Sequence, residues 1–175
     1  MTLRRPLLAV LARVLVALGL IALAGLASVS RVEGAAAAPV LPEPDDNWFE
    51  GASGFAKGFE RAEAEGQAVL LYFYADWCGY CRQLESNLLY QAAVEDYTKY
   101  LVKIRVNPED GPQERELAGR YGVRGYPAVF VHKQASVRPQ KVGRSVVDSG
   151  KRRLMTPDEY VRMLTMASGR RFIAL

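Results

Sequence analysis

The chain has 175 residues, 50% hydrophobic and 24% charged. That composition and size suit one globular domain, with no internal repeat and no low-complexity block beyond a run of alanines. The formal charge of +4 belongs mostly to the N-terminus. Residues 1–37 hold Arg4, Arg5, Arg13 and Arg31 against Glu33, so 19 basic and 18 acidic residues remain beyond them. A balance of +1 argues against a nucleic-acid partner, and the short clusters Lys151-Arg152-Arg153 and Arg170-Arg171 read as a solvated loop and tail.

Residues 1–37 carry the marks of an export signal. Arg4, Arg5 and Arg13 make a basic start, Val14 to Val29 is an uncharged apolar run, and Ala35 to Ala38 offer small-x-small cleavage sites. An uncleaved N-terminal membrane anchor is the competing reading, since the run lies between a signal core and a span of ~20 residues. Both readings place the following domain outside the cytoplasm, in the periplasm or an equivalent space, either soluble after cleavage or tethered to the membrane. Residues 38–52 begin "APVLPEPDDN" and read as a linker rich in proline and acid. Residues 53–175 are then the domain.

In chain order, Phe55, Phe59 and Ala62 mark one face of a helix over Ser53 to Glu65, with Gly66 as its C-cap. Residues 68–74, "AVLLYFY", form a continuous apolar run, as expected of a strand covered on both faces. A turn at Asp76-Trp77 leads into a helix from Cys78 to about Tyr97, with Leu84, Leu88 and Leu89 facing the core. Leu101 to Val106 alternates with period two and reads as a second strand. Pro112 to Tyr121 is a short helix stopped by Gly122. Ala128 to His132 and Gln140 to Arg144 are two further strands. Thr156-Pro157-Asp158-Glu159 is a capping box opening a last helix, on which Tyr160, Met163, Leu164 and Ala167 share a face. The βαβ crossover requires a parallel strand pair, and the later strands allow an antiparallel hairpin. The fold class is therefore α/β, a central mixed sheet flanked by helices on both faces.

Both cysteines lie in "WCGYC", residues 77–81. A structural zinc site needs about four ligands, against two cysteines and the distant His132 here. A structural staple would close a very short loop, where a disulfide stabilises least. A redox pair fits better. A cysteine in the first turn of a helix faces unpaired N–H groups and the positive end of the helix dipole, both of which favour thiolate. Cys81, three residues on, lies on the same helix face. Cys78 is thus expected to be the exposed nucleophile and Cys81 the resolving thiol, with no cofactor and no metal.

"VLLYFYADWCGYC" and the later "YGVRGYPAVFV" resemble a thioredoxin-fold oxidoreductase over roughly residues 53–168. The resemblance implies a cis proline at Pro127 against the active-site disulfide. It implies that the Tyr126 backbone receives extended substrate chain and that Trp77 is the aromatic beside the disulfide, with Gly79 and Tyr80 as supporting residues. It also implies thiol or disulfide client proteins as partners, and a membrane electron donor such as a transmembrane disulfide reductase. The sequence departs from thioredoxin in two places. Tyr72 stands where thioredoxins have a buried acid, with Lys103 near the place of its partner lysine. Asp76 and Glu85 read as solvated. Gly79-Tyr80 replaces Gly-Pro and resembles the pair in bacterial periplasmic disulfide isomerases, whereas "YADWC" is closer to the thioredoxin-like domain of transmembrane disulfide reductases. A reductase is the expected function. Isomerase, oxidase and a non-catalytic peptide-binding or chaperone module are the alternatives.

Overall fold

The computed structural model describes residues 47–133 and 138–170; the expected export segment and most of the linker lie outside them. A five-stranded sheet has the order β1-β3-β2-β4-β5, with β1 Trp48–Glu50, β2 Val69–Phe73, β3 Val102–Val106, β4 Ala128–His132 and β5 Gln140–Val142. The first three strands are parallel, whereas β4 runs antiparallel to β2 and β5 antiparallel to β4. It is the mixed central sheet expected of the thioredoxin fold.

Period-two side-chain alternation divides the core into two layers. Val69, Leu71 and Phe73 of β2 join Val102, Ile104 and Val106 of β3 and Ala128 and Phe130 of β4 on one face. Helix α1, Gly51–Glu65, and helix α4, Pro112–Arg120, cover that face. Leu70 and Tyr72 point the other way with Val129 and Val131. There they meet helix α2 (Gly79–Leu84), helix α3 (Ala92–Thr98) and the last helix, α5 (Pro157–Ser168).

Local signals account for most boundaries. Gly66 ends α1 in the left-handed region at φ 65°, where glycine carries no Cβ penalty. Thr156 and Glu159 form the expected capping box at α5. Three expectations fail. The helix after Cys78 does not run unbroken to Tyr97. It passes into a π-helical segment at Glu85–Leu89, closed by Tyr90 N–H donating to the Glu85 carbonyl at 2.9 Å, and restarts at Ala92. The extra residue lets Leu84, Leu88 and Leu89 all reach the core. Secondly, Trp48–Glu50, inside the stretch that composition assigns to the linker, is an edge strand paired with Lys103–Arg105. Its pairing partner is over fifty residues away, so no local pattern announces it.

Thirdly, the supposed basic loop around Lys151 is a hairpin. Strands β6 (Ser145–Asp148) and β7 (Lys151–Leu154) pair antiparallel through Ser149 and Gly150, both at positive φ (49° and 79°). Two residues with that twist match a tight hairpin turn. The hairpin forms its own two-stranded sheet beside the main one.

Candidate active site

Strand β2 ends in the central sheet, and the chain leaves it through Tyr74, whose N–H donates to the Val106 carbonyl at 3.1 Å. Asp76-Trp77 then turns the backbone so that Cys78 becomes the N-cap of α2. Its Sγ accepts the backbone N–H of Cys81 at 3.1 Å, and its carbonyl accepts the N–H of Arg82 at 3.2 Å. An N–H aimed at sulfur is the local arrangement that favours thiolate over thiol. The two cysteines form a disulfide.

Cys78 is not the exposed member of the pair. Cys78 is 3% exposed and Cys81 2%, and both belong to the packed layer that contains Tyr72, Leu84 and Val129. What is exposed is their aromatic frame: Trp77 at 66% and Tyr80 at 60%. Capping draws Cys78 Sγ inward over the helix end, and in the disulfide the sulfur is covered together with its partner.

Tyr126 brings the loop before β4 to this frame. Its ring packs edge-on to Trp77, with centroids 6.2 Å apart, and it touches both core layers. Burial raises the Tyr126 phenol's pKa, and the negative charge of Glu109 adds to the rise. The Tyr126–Pro127 peptide is cis. Pro127 and Leu84, one turn past Cys81, line the same groove. The structure therefore gathers Trp77, Cys78, Tyr80, Cys81, Tyr126 and Pro127 at one end of the sheet. Gly79 lies among them without a steric need for glycine: a Cβ there would meet only the Arg82 guanidinium, at 3.8 Å.

Three contacts at this site escape sequence reasoning. The Trp77 indole N–H donates to both oxygens of Glu109, at 3.0 and 2.9 Å, which fixes an otherwise exposed ring. Glu109 sits in the turn after β3, and the Asn107 side chain holds that turn by accepting the Glu109 N–H. Arg144 lays its guanidinium over the Tyr80 ring, 4.6 Å from the centroid, as a cation–π contact.

The third contact corrects the reading of Glu85 as solvated. Tyr72, 1% exposed, donates its hydroxyl to Glu85 Oε1 at 3.0 Å. Burial, then the adjacent Glu85 charge, holds the Tyr72 phenol well above its usual pKa. The position of a buried acid is thus filled by a neutral donor that recruits a carboxylate from the π-helical segment. An acid four residues after Cys81, beside a buried strand tyrosine, was the available signal. Lys103 shares that sheet face but is directed to the edge: β3 pairs it with Leu70 and Trp48, and its Nζ lies 5.8 Å from the Trp48 ring centroid. His132 lies at the opposite end of β4, bonded through Nε2 to the Tyr121 hydroxyl at 2.7 Å and packed edge-on to Phe59.

A central mixed sheet, a C-x-x-C disulfide capping the helix after the middle strand and a cis X-Pro loop beside it define a protein of the thioredoxin fold. The chain belongs to the thioredoxin family, whose pattern matches residues 55–151, more than half of the sequence. Protein disulfide-isomerase of Gallus gallus is 35% identical over 96 residues, 53% of this chain and 18% of that protein. Thiol:disulfide interchange protein DsbD of Pseudomonas sp. (strain JR1 / K1) is 38% identical over 72 residues, 41% of this chain and 12% of that protein. The chain thus spans less than a fifth of either relative's length. In fold it is similar to the reduced C-terminal domain of DsbD from Neisseria meningitidis. That likeness has a TM-score of 0.53 at 22% identity and covers 69% of this chain and 99% of that domain.

Proposed function

We propose that the chain is an exported thiol–disulfide oxidoreductase that reduces disulfides of periplasmic client proteins. The observation that carries this reading is the buried Cys78–Cys81 disulfide at the N-terminus of α2, with the Cys81 N–H aimed at Cys78 Sγ. Cys78 is the nucleophile and Cys81 the resolving thiol. In the reduced protein the Cys78 thiolate attacks one sulfur of a client disulfide; the other client sulfur leaves as a thiolate and takes a proton. The client is then held on Cys78 as a mixed disulfide. Cys81 gives up its proton and attacks Cys78 Sγ, the second client sulfur leaves as a thiol, and the Cys78–Cys81 disulfide remains. Two electrons have passed to the client, and a dithiol donor must restore the pair. A transmembrane disulfide reductase is the donor class we favour, with residues 1–37 as the export signal or anchor.

The thiol:disulfide interchange relative supports exchange chemistry, and the reducing direction rests on the resemblance of "YADWC" to the thioredoxin-like domain of transmembrane disulfide reductases. The disulfide-isomerase relatives, together with Gly79-Tyr80 between the cysteines, favour isomerisation as a second reading. Within the site, Trp77 and Tyr80 present aromatic surface to the client, Pro127 shapes the loop and the Tyr126 backbone receives extended client chain.

Replacing Cys81 with Ser removes the resolving thiol, so clients should accumulate on Cys78 as disulfide-linked adducts that dithiothreitol releases. Their absence from the exported fraction would remove the mechanism. The equilibrium potential against glutathione decides the direction: a value near −270 mV supports the reductase, one near −180 mV the isomerase and one near −120 mV an oxidant. Insulin reduction by Cys78→Ser at the wild-type rate would leave only a binding module.

A further inference from the structure

A groove of about 410 Å³ opens beside the disulfide. Leu84 and Pro127 line the end nearest the redox site, Val142 continues it along β5, and the hairpin β6–β7 borders it. Its cations are Lys141, Arg144, Arg152 and Arg153, and none of its lining residues is acidic. Arg153 is neutralised by Asp148 at 3.1 Å and Glu159 at 2.7 Å. The other three are not. Among the described residues Lys141 and Arg144 meet only aromatic rings, those of Phe130 and Tyr80, and Arg152 has no hydrogen bond or ion pair.

This charge is local. Residues 141–153 hold five cations and one acid, Asp148, in a chain that is nearly neutral beyond residue 37. Packing accounts for only part of the hairpin, through Val146 and Leu154, which touch the core layer under α5. Val147 is 68% exposed, and Lys151 and Arg152 are exposed as well. Polar contacts add to that packing. The Arg153 guanidinium donates to both Glu159 oxygens on α5, at 2.7 and 2.8 Å, and Met155 N–H donates to the Arg144 carbonyl at 3.0 Å. The arm is held where its cations join those of β5, and Arg144 ties the groove to the disulfide through Tyr80.

We propose that this groove binds an acidic, extended segment of the client polypeptide next to its disulfide. Carboxylates flanking the client cysteine engage Lys141, Arg144 and Arg152 while the cysteine lies at the Cys78–Cys81 site. The proposal rests on the reading of that pair as an exchange site and adds to it a substrate class. Uncompensated surface cations beside a reactive centre raise the encounter rate of anionic substrates, and salt screens the effect.

The test uses the reduced full-length protein and two peptides that share one intramolecular disulfide and differ only in the residues flanking it, three Glu or three Lys. At low salt the Glu peptide should be reduced roughly tenfold faster, an advantage that shrinks as salt screens the cations. Arg152→Glu and, separately, Lys141→Glu should each bring that ratio down towards one. Cysteine-free versions of both peptides, followed by fluorescence anisotropy, should bind in the same order. Equal rates and equal binding of the two peptides, or a ratio that both variants leave untouched, overturn the proposal. Anionic phosphatidylglycerol vesicles that bind wild type but not Arg152→Glu, with the peptides indistinguishable, would also overturn it, in favour of a membrane surface. Uncharged 2-hydroxyethyl disulfide reports on the exchange reading alone: if the wild type leaves it intact, that reading falls and the binding arm decides the groove.

Discussion

The two faces of the central sheet are built from alternate residues of the same strands, yet they differ in kind. The face under α1 and α4 is packed with aliphatic and aromatic side chains such as Leu71, Phe73, Ile104 and Phe130. Its polar pair, Tyr121 and His132, is set at the far end of β4 from the cis Tyr126–Pro127 bond, and burial pushes the Tyr121 phenol up to about 12. The face under α2, α3 and α5 carries the disulfide, the Tyr72–Glu85 bond and a buried Tyr97–Ser168 hydroxyl bond of 2.6 Å. One face therefore supplies stability through contact with apolar neighbours. The other trades some of that contact for hydrogen-bonded polar groups in the layer that also holds the two sulfurs.

Substitutions on the first face should damage stability and leave redox chemistry alone. Ile104 is fully buried and is the neighbour of Gly58 on α1. Ile104→Ala should cost about 2–5 kcal/mol, the transfer term plus the cavity left behind. Gly58→Ala approaches the same contact from the other side, since a Cβ there would lie 2.7 Å from Ile104 Cδ1 and 2.8 Å from Cγ1. That overpacking should cost about 1–3 kcal/mol. Urea unfolding measures both. The Cys78–Cys81 potential should match the wild type, and a shift in either variant would show that the two faces are coupled.

The difference between the faces also explains what could be read in the sequence. Continuous apolar runs and helical periodicity disclosed the layered sheet, because burial writes itself into residue type. "WCGYC" and "GYP" disclosed the site, because both sulfur chemistry and a fixed loop demand particular residues. The edge strand at Trp48 and the hairpin at Ser145 were hidden, since few of their residues are buried and their pairing or anchoring is long-range. Glu85 was hidden for a related reason. Its role depends on the π-helical segment that turns it towards Tyr72, and a helical wheel of period 3.6 cannot show that shift. The burial of Cys78 is hidden as well, because its place at a helix terminus bears on the electrostatics of the sulfur and not on how the neighbouring chain covers it.

On the second face the effects should be smaller in stability and larger in chemistry. Tyr72→Phe removes the hydroxyl that satisfies Glu85 and should cost about 0.5–1.5 kcal/mol, the range for one hydrogen bond. It should move the redox potential by on the order of 10–30 mV, because Tyr72 shares a packed layer with both sulfurs and 30 mV corresponds to ~1.4 kcal/mol. An unchanged potential would assign the pair to structure alone. The raised Tyr72 pKa adds a check with a defined sign. The folded state prefers the neutral phenol, so the stability it confers is complete below about pH 10 and falls as pH rises beyond it. Glu85→Gln removes the nearby charge but not the burial. It should bring phenolate formation, followed by ultraviolet absorbance, to lower pH without restoring the ordinary value.

The smallest effect on global stability is expected at the hairpin, which belongs to neither face. Arg153→Ala removes its bridges to Asp148 and Glu159, which are exposed, and exposed ion pairs contribute little to global stability. Locally the change should be plain, because these contacts tie β7 to α5: the amides of 145–154 should exchange hydrogen faster while those of β2 and β4 do not. The wild type should show the same loosening at low pH. The Arg153 hydrogen bonds, then the Thr156 N–H, hold the Glu159 carboxyl down to about 2 from an ordinary 4.5. Their contribution is therefore present above about pH 4.5 and is lost as pH falls towards 2. Exchange at 145–154 that ignores both the substitution and the pH would mean that packing of Val146 and Leu154, which touch the core layer under α5, holds the arm unaided.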